Sequence, residues 1–259
     1  GGGSAPVAYS QAITGLSLAA THYYCAIARN ASGTSFGAIL SFTTLATAPT
    51  VSTNAASSLT GTTAQLNGTA NAKGASTTAW FRYATTSPGT CNDSFGTRAP
   101  ASGGSALGSG VVNVFYSQNI GGLTPATTYY YCAIASNSFG TAFGAVMSST
   151  TPSPPEAGTT AATNITDLAA ELNGVGDPNG AATTAWFRYD TTNPGTCDDA
   201  FGTRAPLSGG TPLGAGTISV SYTRSVNGLS PGTTYYFCAI MQNVEGIAFG
   251  AVPSFATPT

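Results

Sequence analysis

Between residues 50 and 150, apolar side chains recur at every second position in short runs that end in clusters of Gly, Pro, Asn, Asp and Ser. The three-and-four spacing of an amphipathic helix is missing, and Gly, Pro and β-branched residues are too frequent for long helices. The alternation predicts strands near 50–56, 62–70, 77–84, 111–120, 127–137 and 141–150, with a short irregular strand around 90–95. Turns are expected at Asn71-Ala72-Lys73-Gly74, Ser87-Pro88-Gly89 and Ser138-Phe139-Gly140, where residue types that pre-set or tolerate turn geometry gather. About seven antiparallel strands in about a hundred residues make an all-β sandwich of two sheets.

The pattern is written more than once. Residues 73–98 and 179–204 are nearly identical at an offset of 106, which also carries Cys91 to Cys197, Cys132 to Cys238, Trp80 to Trp186 and Tyr129 to Tyr235. The turns recur at Asp177-Pro178-Asn179-Gly180 and Asn193-Pro194-Gly195. A third copy is partial: Tyr9 to Leu16 matches Tyr116 to Leu123, and Tyr23 to Ala28 matches Tyr130 to Ala135. The repeat therefore divides the chain into a C-terminal half-unit, 1–46, and full units at 47–152 and 153–259. Either the chain is a piece of a longer protein or another chain supplies the missing strands. The position of the break inside a unit favours the piece.

Leu123-Thr124-Pro125-Ala126-Thr127-Thr128-Tyr129, repeated at Leu229 to Tyr235, resembles the signature of fibronectin type III domains, in the form found in bacterial secreted and cell-surface proteins. The resemblance implies an immunoglobulin-like sandwich in which this stretch runs from strand E into strand F and its tyrosine packs inward at a corner. It says nearly nothing about function, because such sandwiches host unrelated roles. Alternation along 127–137 turns Tyr129, Tyr131, Ala133 and Ala135 inward with Phe81 and Tyr83. It leaves Tyr130, Cys132 and Ile134 outside beside Trp80 and Arg82. His22, the single histidine, takes the corner position of the half-unit.

Five cysteines follow the repeat. Pairing within units joins Cys91 to Cys132 and Cys197 to Cys238 and leaves Cys25 without the stretch that would bear its mate, unpaired by truncation. If the Cys91 segment were an ordinary strand beside the one predicted at 77–84, it would lie about 10 Å from Cys132, too far to bridge. The Thr90–Phe95 segment must then fold back over the outer sheet face and cover Trp80. The competing pairing, Cys25 with Cys91 and Cys132 with Cys197, leaves Cys238 over. Persistent disulfides imply an oxidising, exported location.

Composition narrows the chemistry. Hydrophobic residues make up 42% of the chain and charged residues only 6%, so the surface is covered by Thr, Ser, Asn, Gly and Ala. No basic face is available for nucleic acid and no apolar run is long enough to span a bilayer. The first two units carry an excess of positive charge and the third an excess of negative charge, which reads as drift between copies or as head-to-tail attraction between chains. The second unit has one acid, Asp93, so it cannot assemble the carboxylate pair of a glycosidase, and neither full unit has a histidine base for a triad. Zinc ligation lacks histidine partners, and the Gly-rich stretches at 102–105 and 107–110 precede no helix. Asp177, Asp198 and Asp199 are candidates for calcium in one copy only. Trp80 with Arg82, and Trp186 with Arg188, are either a glycan-stacking surface or packing beneath the disulfide loop. Glycosylation-type triplets start at Asn30, Asn67, Asn92 and Asn164 and in a bacterial protein would usually be coincidence.

These features predict no catalytic residue, no metal and no cofactor. The expected role is that of a non-enzymatic extracellular structural or adhesive repeat protein, forming a stalk, sheath or filament through self-association or contact with another cell-surface protein. Its short proline-bearing linkers, 45–49 and 151–155, favour an extended rod. The alternative is a carbohydrate- or ligand-binding accessory module of a secreted enzyme.

Overall fold

A computed structural model of the chain describes residues 3–259. The N-terminal segment forms two small hairpins, in which β1 (Thr21–Tyr24) pairs with β4 (Leu40–Thr43) and β2 (Ile27–Asn30) with β3 (Gly33–Phe36). The stretch Tyr9–Leu16, matched in sequence to a strand of the next unit, runs without ladder pairing.

Next come β5 (Thr50–Ser57), β6 (Thr63–Asn71), β7 (Thr77–Ala84), β8 (Thr97–Ala99), β9 (Ser105–Gly108), β10 (Asn113–Gly121), β11 (Thr128–Asn137), β12 (Gly140–Phe143) and β13 (Met147–Thr150). They form an antiparallel sandwich, with β10-β6-β5 as one sheet and β12-β11-β7-β8 as the other; β13 also pairs with β11 and β9 with β7. The last unit repeats this with β14 (Glu156–Thr163), β15 (Ala169–Asp177), β16 (Thr183–Asp190), β17 (Thr203–Ala205), β18 (Thr211–Gly214), β19 (Val220–Asn227), β20 (Thr234–Asn243), β21 (Gly246–Phe249) and β22 (Ser254–Ala256). The architecture is all-β: two antiparallel sandwiches in tandem, preceded by two small two-stranded sheets.

Period two sets the faces. Leu66, Phe81, Tyr116, Tyr131, Ala133 and Ala135 fill the space between the sheets, whereas Trp80, Cys132 and Ile134 form a second cluster on the outer face with Cys91, Phe95 and Val146. At the corner, Thr124 N–H donates to Tyr129 Oη at 3.0 Å, and Ser230 N–H to Tyr235 Oη at the same distance. His22 stands 3.4 Å from the Ser17 carbonyl, the matching position, and its ring stacks on Phe42.

Three features depart from the alternation. Residues 90–95 are a looped segment and not a strand; the extra strands beside β7 are β8 and β9. Between them Gly103 and Gly104 adopt φ of 70° and 152°. A Cβ on Gly104 would stand 2.5 Å from the Ala79 carbonyl, so this Gly-rich stretch is a close crossing against β7. The strand expected at 141–150 is split, because Gly144 N–H turns to the Ala133 carbonyl at 2.8 Å while Thr53 of β5 reaches in to accept from Ala133 N–H at 3.0 Å.

Candidate functional site

The outer face of each full sandwich carries a latch built from β7 and the loop that follows it. Alternation along β7 turns Trp80 and Arg82 to the same face. After the turn at Ser87-Pro88-Gly89 the chain comes back over them and Cys91 is bonded to Cys132, with Cα atoms 6.0 Å apart. Asp93 Oδ1 then accepts from Trp80 Nε1 at 2.8 Å and from Arg82 Nε at 2.9 Å. The Arg82 guanidinium also donates to the Gly96 carbonyl. From β8, Arg98 lays its guanidinium 4.6 Å from the centroid of the Trp80 ring and donates to the carbonyls of Pro100 and Gly103. Trp80 is left 8% exposed.

The third unit builds the same object. Cys197 is bonded to Cys238, Asp199 accepts from Trp186 and Arg188, and Arg204 lies 4.5 Å from the centroid of the Trp186 ring, leaving Trp186 4% exposed. Trp80 and Trp186 thus pack with the disulfide loop, each donating to its aspartate and holding a guanidinium over its ring. Asp93 and Arg98 complete the latch. Alternation could not have found them, since they lie in a loop and on a three-residue strand, but the shared Trp-x-Arg, Asp, Arg spacing of both copies was a signal. Around Asp93, partial burial would raise the carboxyl pKa. The hydrogen bonds from Trp80 and Arg82 and the charges of Arg82 and Arg98 outweigh it, and the pKa is held below the ordinary value.

The calcium candidates do not converge. Asp177 Oδ1 accepts from Asn179 N–H in the β15–β16 turn, Asp198 Oδ1 accepts from Ala200 and Phe201 N–H, and Asp199 belongs to the latch. Among the described residues no three His, Cys, Asp or Glu side chains are grouped as a metal site would require. Among the described residues no helix is long and apolar enough to cross a membrane. Asn67 is buried and its amide donates to the Ala55 carbonyl and Ser57 Oγ, a place a glycan would not fit.

The joints between units are the second repeated arrangement. Thr151 is tied to the unit before it: its N–H donates to the Thr127 carbonyl, its hydroxyl to the Thr124 carbonyl at 2.6 Å, and its own carbonyl accepts from Ala126 N–H. Ser153 is tied to the unit after it, donating N–H to the Asn179 carbonyl at 3.1 Å and accepting at its carbonyl from Asn243 Nδ2 at 2.9 Å. Pro152 alone lies between. The first joint is similar: Thr44 is held by Ser17 and Ala20, Thr47 by Lys73 and Asn137, with Leu45 and Ala46 between. A Cβ on Gly61 would stand 2.6 Å from Glu245 Oε2 and 3.2 Å from the Pro152 carbonyl, so the two full units approach closely there. The crevice beside Thr151, Asn179 and Gly180 measures about 110 Å³, small against the roughly 300 Å³ at which ligand sites begin.

No family model matches the chain, and no curated protein is similar to it. Among solved structures it is similar to the FN1–FN3 domains of chicken CNTN1, at 13% identity and a TM-score of 0.32, over 94% of this chain and 77% of that one. It is also similar to the sensor domain of the anti-sigma factor RsgI4 of Pseudobacteroides cellulosolvens, at 23% identity and a TM-score of 0.27, over 39% of this chain and 86% of that one.

Proposed function

We propose that this chain is a non-enzymatic extracellular structural or adhesive protein whose units, with boundaries at 46/47 and 152/153, are strung into a stiff rod on a cell surface. The supporting observation is the joint at Thr151-Pro152-Ser153. The residues flanking the proline are each fixed by backbone hydrogen bonds to a different sandwich, so little chain remains free to bend. Each sandwich is in turn closed by its own disulfide, a bond that persists in oxidising places outside the cytosol. With so few charged residues, repulsion between neighbouring rods is weak, which favours lateral packing in a sheath or filament.

Small-angle scattering of the purified chain tests the mechanical half of this reading. An elongated particle with a single narrow distance distribution is expected, and a compact particle or a broad distribution of inter-unit distances would refute it. Protease shaving of intact cells tests the location: the chain is released without lysis if it is displayed outside.

A further inference from the structure

We infer that β10 is a pairing edge for a second copy of this chain, whose own β10 lies antiparallel to it about a two-fold axis at Phe115. The three-stranded sheet β10-β6-β5 of each copy then becomes half of one sheet that crosses both molecules. The inference adds a lateral surface to the rod proposed above and stands whether or not the joints are stiff.

Edge strands are guarded against such pairing when they are very short, bulged, charged or broken by proline. The other edges of the full units are guarded in these ways. β8, β17 and β22 have three residues, and β9, β12, β13, β18 and β21 have four. The ladders that β5 and β14 make to their neighbours slip, between Asn54 and Ser57 and between Thr160 and Thr163. β19 carries Arg224.

β10 has none of these guards. Its nine residues, Asn-Val-Phe-Tyr-Ser-Gln-Asn-Ile-Gly, hold no charge and no proline. They keep one unbroken register to β6, from Asn113 opposite Asn71 to Gly121 opposite Thr63. Among the described residues β6 is the sole ladder partner of β10, so alternate N–H and C=O groups along its other side face outward without a ladder bond. On the same strand Phe115 is 63% exposed, and Val111 and Val112 just before it are at 50% and 67%. The third unit has Ser221, Thr217 and Ile218 at these positions, so the apolar stretch belongs to the second unit.

This edge suits a copy of itself. An uncharged strand meets its own copy without repulsion, and a two-fold contact requires a patch that is complementary to itself. Pairing about Phe115 supplies one. Phe115 stands opposite its own copy, Val114 opposite Tyr116 and Asn113 opposite Ser117, so aromatic faces aromatic, apolar faces apolar and amide faces hydroxyl. Main-chain hydrogen bonds between the two strands supply affinity, and the covered phenylalanines fix the register.

Sedimentation velocity of the full chain over a concentration series tests the surface. The parent should dimerise reversibly, and Phe115→Lys should weaken the dimer about tenfold or more by setting two like charges on the seam. Ser221→Lys, at the same place in the third unit, should leave the dimer unchanged. A parent that stays monomeric up to about 1 mM, or a dimer that Phe115→Lys does not weaken, overturns the inference. The register is read separately in Cys25→Ser chains, which lack the free thiol. Under oxidised glutathione a mixture of Asn113→Cys and Ser117→Cys chains should cross-link as a heterodimer, and neither variant should cross-link alone. Cross-linking of one variant alone, or none in the mixture while the amides of β11 stay protected and show the chains to be folded, overturns pairing about Phe115.

Discussion

Tyr116 and Tyr131 share one core with opposite hydrogen-bonding. Tyr131 Oη accepts from Ala56 N–H at 2.8 Å, whereas Tyr116 Oη and its counterpart Tyr222 Oη are buried with no partner. Tyr116→Phe should therefore be neutral or stabilise the second unit by up to about 1 kcal/mol, and Tyr131→Phe should destabilise it by about 1–2 kcal/mol, read from denaturant midpoints. Equal effects would show that the Tyr116 hydroxyl has a partner. Burial pushes both orphan phenols well above their ordinary value of 10.0. The sign follows: the folded state keeps them neutral, so their ionisation leaves stability untouched below about pH 10 and lowers it as pH rises above that, and the phenylalanine variants should resist alkaline unfolding better than the parent. Asp93 acts at the other end. Its carboxyl is held low, so its contribution is present above about pH 4 and disappears as pH falls through the depressed folded value. Asp93→Asn should flatten the acid limb of the second unit's stability profile, and an unchanged limb would count against the latch. Of these residues, the sequence marks Tyr131 as inward by alternation. It gives no sign that Tyr116 would lack a partner, because that depends on Gly68 facing its ring across the ladder.

At the scale of the element, the loop between β7 and β8 is held by one covalent bond and a cluster of weak ones. Cys91 and Cys132 are separated by 41 residues in sequence. Replacing both by serine should cost the second unit about 4 kcal/mol in the chain-entropy estimate, measured as a lowered midpoint for that unit while the third keeps its own. A loss below about 1 kcal/mol would mean that the Trp80, Asp93 and Arg98 contacts suffice alone. The strands of the sandwich were legible because their apolar positions alternate against a single core. β8 and β9 were not: each is very short, and their pairing with β7 rests on Gly104 lying against the Ala79 carbonyl, a contact that leaves no mark in periodicity. The split between β12 and β13 is hidden for the same reason, since it records the approach of Thr53 from a distant strand.

For the whole molecule, the joints decide between a rod and a string of loose modules. Insertion of several Gly-Ser residues after Pro152 should leave the stability of each sandwich unchanged but broaden the distance distribution in small-angle scattering; an unaltered profile would show that contacts beyond the linker, such as Gly61 against Glu245, hold the units in line. From the sequence alone come the all-β class, the repeat with its 106-residue period and the faces of the long strands, because alternation and self-similarity are local properties that the chain carries in one dimension. Only the tertiary structure decided that Trp80 and Trp186 lie beneath a loop, that Asp177 and Asp198 each hold a separate turn while Asp199 joins the latch, and that Thr151 and Ser153 fasten to different sandwiches. Each of these depends on which groups distant segments bring within hydrogen-bonding or packing distance, and that is settled by the closing of the two sheets.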